Sequence, residues 1–119
     1  MKALFDTNIL IDYLNGVEAS RTEIDRYKIR LVSIVTWMEV LVGAGDEEEA
    51  DVVEMFLRDF RVVDVTRTIA REAVDFRRGR RVRLPDAIIW ATAQSESALL
   101  ITRNTRDFPT DMPGVRVPY

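Results

Sequence analysis

This sequence predicts an α/β domain built around a mostly parallel sheet. Three observations carry that reading. Short β-prone apolar runs alternate with segments of helical spacing along the whole chain. The acids that stand out follow strand ends or open helices. A length of 119 residues allows one such domain, residues 1–119, and is too short for two.

Lys2–Phe5 is a brief apolar run ending at an acid and reads as the first strand. Asn8–Leu14 sets Ile9, Leu10, Tyr13 and Leu14 at helical spacing, with Asp6 or Thr7 placed to cap it. Glu18–Tyr27 reads as a more polar helix and Arg30–Ser33 as a short strand. Ile34–Val42 is a helix with few polar interruptions, stopped by Gly43-Ala44-Gly45. Asp46–Phe60 opens on Asp46, Glu47, Glu48 and Glu49, acids that suit the positive end of a helix dipole. Val62–Val65 reads as a strand and Thr66–Arg78 as an amphipathic helix. Pro85 favours a first helical turn and opens a helix to about Ser97. Leu99–Thr102 is an apolar strand, and Val115–Val117 an edge strand between prolines. Helices then cover both faces of the sheet, and the site is expected outside the carboxyl ends of the strands, near a topological switch point.

Composition narrows the chemistry. There is no histidine and no cysteine, which excludes histidine acid–base catalysis, a Ser-His-Asp triad, disulfides and thiolate or imidazole metal sites. Carboxylates, hydroxyls, Arg, two Lys or a hard cation must do any chemistry. No apolar run approaches the ~18 residues of a membrane span. The first residues run straight into a strand pattern without a basic leader, so a cytoplasmic location is expected. The net charge of −3 is unevenly spread. Up to residue 60 there are 13 acids against 6 bases; beyond it, 7 acids against 11 bases, all Arg. A basic half allows local contact with nucleic acid, although the net charge does not assist it.

Asp6 follows the first strand, Asp86 opens the late helix, and Asn104 and Asp107 follow the last long strand. Each has a structural alternative as a cap or turn residue. Glu39 lies in Ile34-Val35-Thr36-Trp37-Met38-Glu39-Val40-Leu41-Val42. A helix apolar nearly all round is expected to be buried, so Glu39 needs a cation, a hydrogen-bond partner or a metal. Carboxylates converging at strand ends repel one another unless a divalent cation sits among them. Mg²⁺ takes oxygen ligands and keeps several waters, a combination suited to phosphodiester hydrolysis. Arg77, Arg78, Arg80, Arg81 and Arg83 lead into Asp86. Arg80, Arg81 and Arg83 are candidates to hold the phosphates of a nucleic acid; the alternative is a solvated helix end.

Four segments together resemble one known family. Met1–Leu14 resembles the opening of a PIN-domain ribonuclease, Trp37–Gly43 its central acidic motif, Leu84–Ala93 its third and Thr102–Phe108 its last. Within that family the chain is most similar to compact VapC-type toxins of toxin–antitoxin pairs. The resemblance implies a three-layer α/β/α sandwich with a five-stranded parallel sheet ordered 3-2-1-4-5. It implies an endoribonuclease using Mg²⁺ or Mn²⁺, with metal-ligand roles on Asp6 and Asp86 and the third acidic role on Glu39. The fourth family position is often Asp; here it is Asn104, with Asp107 three residues on. Thr7 and Thr102 would support the ligands with their hydroxyls. A cognate antitoxin is implied, and an acidic site suggests that it offers an Arg. The apolar circumference of Ile34–Val42 suggests a homodimer.

Rival readings fit less well. A response-regulator receiver needs an acidic pair after the first strand and a late lysine, and no lysine follows Lys28. A haloacid-dehalogenase phosphatase needs Asp-x-Asp where this chain has Asp6-Thr7-Asn8. No glycine-rich phosphate loop is present. The remaining alternative is a PIN-like RNA- or protein-binding module without turnover.

Overall fold

The computed structural model describes all 119 residues. Its elements are β1 (Lys2–Phe5), α1 (Thr7–Leu14), α2 (Glu18–Asp25), β2 (Ile29–Ser33), α3 (Ile34–Val42), α4 (Glu47–Leu57), β3 (Arg61–Val63), α5 (Arg67–Arg77), α6 (Leu84–Ser95), β4 (Leu99–Ile101) and β5 (Val115–Arg116). The sheet runs β3-β2-β1-β4-β5, and all four pairings are parallel.

Strand alternation divides the core into two layers of side chains. Leu4, Leu31 and Leu100 point to one face, where Ile69, Phe76, Ala87 and Ile89 of α5 and α6 cover them. Ala3, Phe5, Val32 and Ile101 point to the other, against Ile9, Ile24, Val40 and Leu57 of α1 to α4. Phe5 is fixed there by edge-to-face contacts with Tyr27 and Phe60, at 5.9 and 5.7 Å between centroids. Both faces of the sheet are covered, as parallel strands require.

The chain order places the switch point between β1 and β4. From β1 the chain builds outward through β2 to β3, then returns to add β4 and β5 on the other side. Beyond the paired strands the backbone stays joined, the Asp6 N–H donating to the Ile101 carbonyl at 2.9 Å.

Three sequence expectations need correction. The third strand begins at Arg61 and stops at Val63. Its partner β2 ends at Ser33, where Ser33 caps α3, so Asp64 and Val65 have no strand to pair with. The late helix ends at Ser95, because Ser97 takes a left-handed φ of 51° that breaks the helix. Finally, α3 is not enclosed: only Thr36 and Val40 are buried, and Val42 is 84% exposed. The 46–60 region packs along one side of α3 and leaves Met38 and Val42 uncovered.

Candidate active site

Asp6 sits where β1 gives way to α1, in extended conformation as the N-cap of that helix. Its Oδ1 accepts the Thr7 N–H at 2.7 Å, satisfying one of the helix's free donors. Its Oδ2 accepts the Thr102 hydroxyl at 2.7 Å and the Asn8 amide at 3.2 Å. The cap alternative is therefore true, and it uses only one of the two oxygens. Burial pushes the Asp6 carboxyl up to about 6. The hydrogen bonds from Thr102 and Thr7 oppose that rise, while the charges of Asp86 and Glu39 add to it.

Glu39 reaches the same place from α3. It is half-buried rather than enclosed, and its Oε1 accepts the Thr7 hydroxyl at 2.7 Å. The Thr36 hydroxyl, fully buried, lies 3.1 Å from that of Thr7. Thr7 thus links the start of α1 to α3. Asp86, in the first turn of α6, is buried and accepts Arg83 Nε at 3.1 Å. Burial raises the Asp86 carboxyl above its ordinary value, and the Arg83 guanidinium works against that rise.

These groups line one cleft of about 360 Å³, shared by Asp6, Thr7, Asn8, Glu39, Arg83, Asp86 and Asn104. Asn104 enters from the turn after β4, its N–H donating to Thr102 Oγ1 at 2.9 Å. Its side chain closes that turn on Asp107, accepting the Asp107 N–H at 3.2 Å and donating to Asp107 Oδ2 at 3.0 Å. Asp107 itself lies outside the cleft and lines a neighbouring groove.

The structure splits the arginine run. Arg83 lies in the cleft on Asp86, whereas Arg80 and Arg81 lie in the neighbouring groove. Arg80 folds back on α5, donating to the Phe76 carbonyl at 3.1 Å with its guanidinium 4.4 Å from the ring centre. A single patch at 80–83 is therefore replaced by two basic places.

Sequence reasoning passed over Asn8, Asp12 and Arg103, which also line the cleft. Asn8 bridges it, donating to Asp6 and accepting the Arg103 N–H at 3.1 Å. Arg103 grips Asp12 with both Nε and Nη2, and the Tyr119 hydroxyl donates to Asp12 at 2.7 Å. The only local signal was position: Asn8 follows Asp6 by two residues, and Arg103 follows Thr102 directly.

Three carboxylates thus meet at the switch point of a five-stranded parallel sheet. A PIN-domain family model matches residues 3–110. The chain belongs to the PIN-domain family. This PIN domain is 34% identical over 114 residues to Ribonuclease VapC10 of Mycobacterium tuberculosis, covering 89% of this chain and 85% of that one. It is 32% identical to the tRNA(fMet)-specific endonuclease VapC of Shigella flexneri, covering 91% and 90%. A solved toxin–antitoxin complex from Klebsiella pneumoniae contains a chain 42% identical to it, covering 99% and 98%, with a TM-score of 0.93. The PIN domain is a VapC-type one.

Its cleft offers only oxygen donors, the chemistry of a hard divalent cation. A cation there would oppose the burial, and with it the smaller repulsion from Asp86 and Glu39, that raises Asp6. No three acids of the cleft stand close enough together to hold a metal ion by themselves.

Proposed function

We propose that this single PIN domain is a metal-dependent endoribonuclease, the cytoplasmic toxin of a toxin–antitoxin pair. The observation that carries the reading is the meeting of Asp6, Glu39 and Asp86 in one cleft of a chain without histidine or cysteine. The names of the relatives, ribonuclease and endonuclease, support RNA as substrate.

Asp6, Asp86 and Glu39 would hold Mg²⁺ or Mn²⁺, with Asn104 adding the second lone pair of its carboxamide oxygen. When bound, the ion supplies positive charge to the phosphodiester and an acidified water. The rest belongs to the chain's own groups. Thr102 and Asn8 hold Asp6 by one oxygen, Thr7 orients Glu39, and Arg83 is free to turn its fork from Asp86 to a phosphate. Asp107 holds the Asn104 turn, and from there its charge acts on Asp86 and Arg83 of the cleft.

A partner chain and a second copy complete the proposal. Exposed Met38 and Val42 on α3 favour a homodimer. Beside the cleft, and sharing Ile11 with it, runs a groove of about 780 Å³ lined by Leu14, Val40, Val52, Asp46 and Glu48. Apolar surface set among acids suits a basic amphipathic antitoxin segment, whose Arg would enter the carboxylate cleft.

Mapping RNA ends after induction tests the reading. New ends and growth arrest are expected with the wild type and neither with Asp6→Asn. Identical RNA with both would overturn it.

A further inference from the structure

The second basic place has a shape and setting of its own. A groove of about 610 Å³ lies between the 80–82 segment and the 106–113 loop. Arg80, Arg81 and Arg106 line it, with Asp107, Asp111 and Met112. We propose that this groove is a phosphate subsite for single-stranded RNA, holding the backbone beside the bond attacked in the carboxylate cleft. The proposal rests on the ribonuclease reading and deepens it.

Charge favours an anion here. Three guanidiniums face two carboxylates, and one of those, Asp107, already accepts the Asn104 amide. None of the three guanidiniums forms an ion pair, in contrast to Arg83, Arg103 and Arg116, which each hold an acid. Arg80 is also preorganised: the Phe76 carbonyl and ring fix its position before any ligand arrives.

Continuity with the cleft makes that anion the substrate's own backbone. Asn104 lines the cleft and Asp107 the groove, and their side chains meet at 3.0 Å, so one turn forms the wall between the two. In the 81–83 segment likewise, Arg83 lines the cleft and Arg81 the groove. Two residues of chain span at most about 7 Å, so the cleft and the groove adjoin along this segment. Arg106 joins Arg81 from a loop remote in sequence, which is why the run at 77–83 did not disclose it. Phosphate contacts of this kind hold the strand in register without reading its bases.

The test compares wild type with the double variant Arg81→Gln/Arg106→Gln, both positions being exposed. Arg106→Lys, which keeps the charge, and Asp111→Asn, which removes an opposing one, serve as controls. Binding of a 12-nucleotide RNA is read by fluorescence anisotropy in EDTA across a salt series. Cleavage is read separately with Mn²⁺ on that RNA and on bis(p-nitrophenyl) phosphate, too small to reach the groove. The double variant should bind RNA about tenfold more weakly. Its log–log salt slope should fall by about 1.4, the value for two single-strand phosphate contacts. KM for RNA should rise with kcat unchanged, and hydrolysis of the small diester should be unaffected. Arg106→Lys should bind nearly as wild type, and Asp111→Asn more tightly. Unchanged RNA affinity and salt slope in the double variant would overturn the proposal. So would an equal loss on the small diester, which would place these arginines in the cleft. If the wild type cleaves neither substrate, the ribonuclease reading fails while the anisotropy still decides the groove.

Discussion

Replacing Asp6 by Asn separates the two things this side chain does. As a helix cap the two residues are nearly equivalent. As a charge they are not. Burial holds the Asp6 carboxyl at about 6 against an ordinary 3.8, so ionising it in the folded chain costs about 3 kcal/mol. The sign follows from proton binding. Between those two values the folded state holds the proton that the unfolded state has lost. Asp6 therefore favours folding below about pH 4 and costs stability as the pH rises through 6. A carboxamide in its place would carry no such cost. It keeps the Thr7 N–H on its oxygen and turns its amide toward the Thr102 hydroxyl, but it leaves the Asn8 amide facing another donor. That mismatch costs about 1 kcal/mol. Without metal, Asp6→Asn should stabilise the chain by about 2 kcal/mol at pH 8, raising Tm by roughly 10 °C. At pH 4 it should destabilise by about 1 kcal/mol. Thermal melts in EDTA from pH 4 to 8 measure the crossover. A difference independent of pH, or destabilisation at pH 8, would refute the reasoning.

Three further outcomes can be checked. Asp86→Asn should lower kcat/KM on RNA by at least about 10²-fold, the order of losing a partner of transition-state charge. It should barely move the melting temperature, because the pair it breaks involves an exposed Arg83 worth at most about 1 kcal/mol; a large drop in Tm would make its role structural. Tyr119→Phe removes the hydroxyl that donates to Asp12 and should cost about 1 kcal/mol or less, read by urea denaturation. A neutral result would show that Arg103 alone holds Asp12. Val42→Asp, on the most exposed apolar residue of α3, should shift sedimentation from dimer to monomer at micromolar concentration, and a wild-type monomer would remove the dimer.

The strands and helices were legible because parallel strands buried on both faces read as continuous apolar runs, as in Ala3-Leu4-Phe5 and Leu99-Leu100-Ile101. Their ends were less so. Where β3 stops is decided by Ser33 turning into α3 on the neighbouring strand, a fact carried by residues thirty positions away. The burial expected of Glu39 holds only in part. The helix around it is largely half-exposed, and its partner is a hydroxyl from α1 rather than the demand of a sealed interior. Asp6 and Asp86 were visible because strand ends and helix starts share one edge of an α/β sheet. The clamp of Arg103, Asp12 and Tyr119, and the pairing of Arg81 with Arg106 across a groove, join residues far apart in sequence. Periodicity and spacing report neighbours along one element, so contacts between elements of this kind were silent.

Hydrolysis of RNA by carboxylates of the β1–β4 cleft with a divalent cation can be measured directly. Purified chain is incubated with a single-stranded RNA and Mn²⁺ or Mg²⁺, with and without EDTA, beside Asp86→Asn. Cleavage that requires the metal, stops with chelator and vanishes in Asp86→Asn is the expected result. Cleavage that persists in EDTA, or in Asp86→Asn with metal present, would contradict the account.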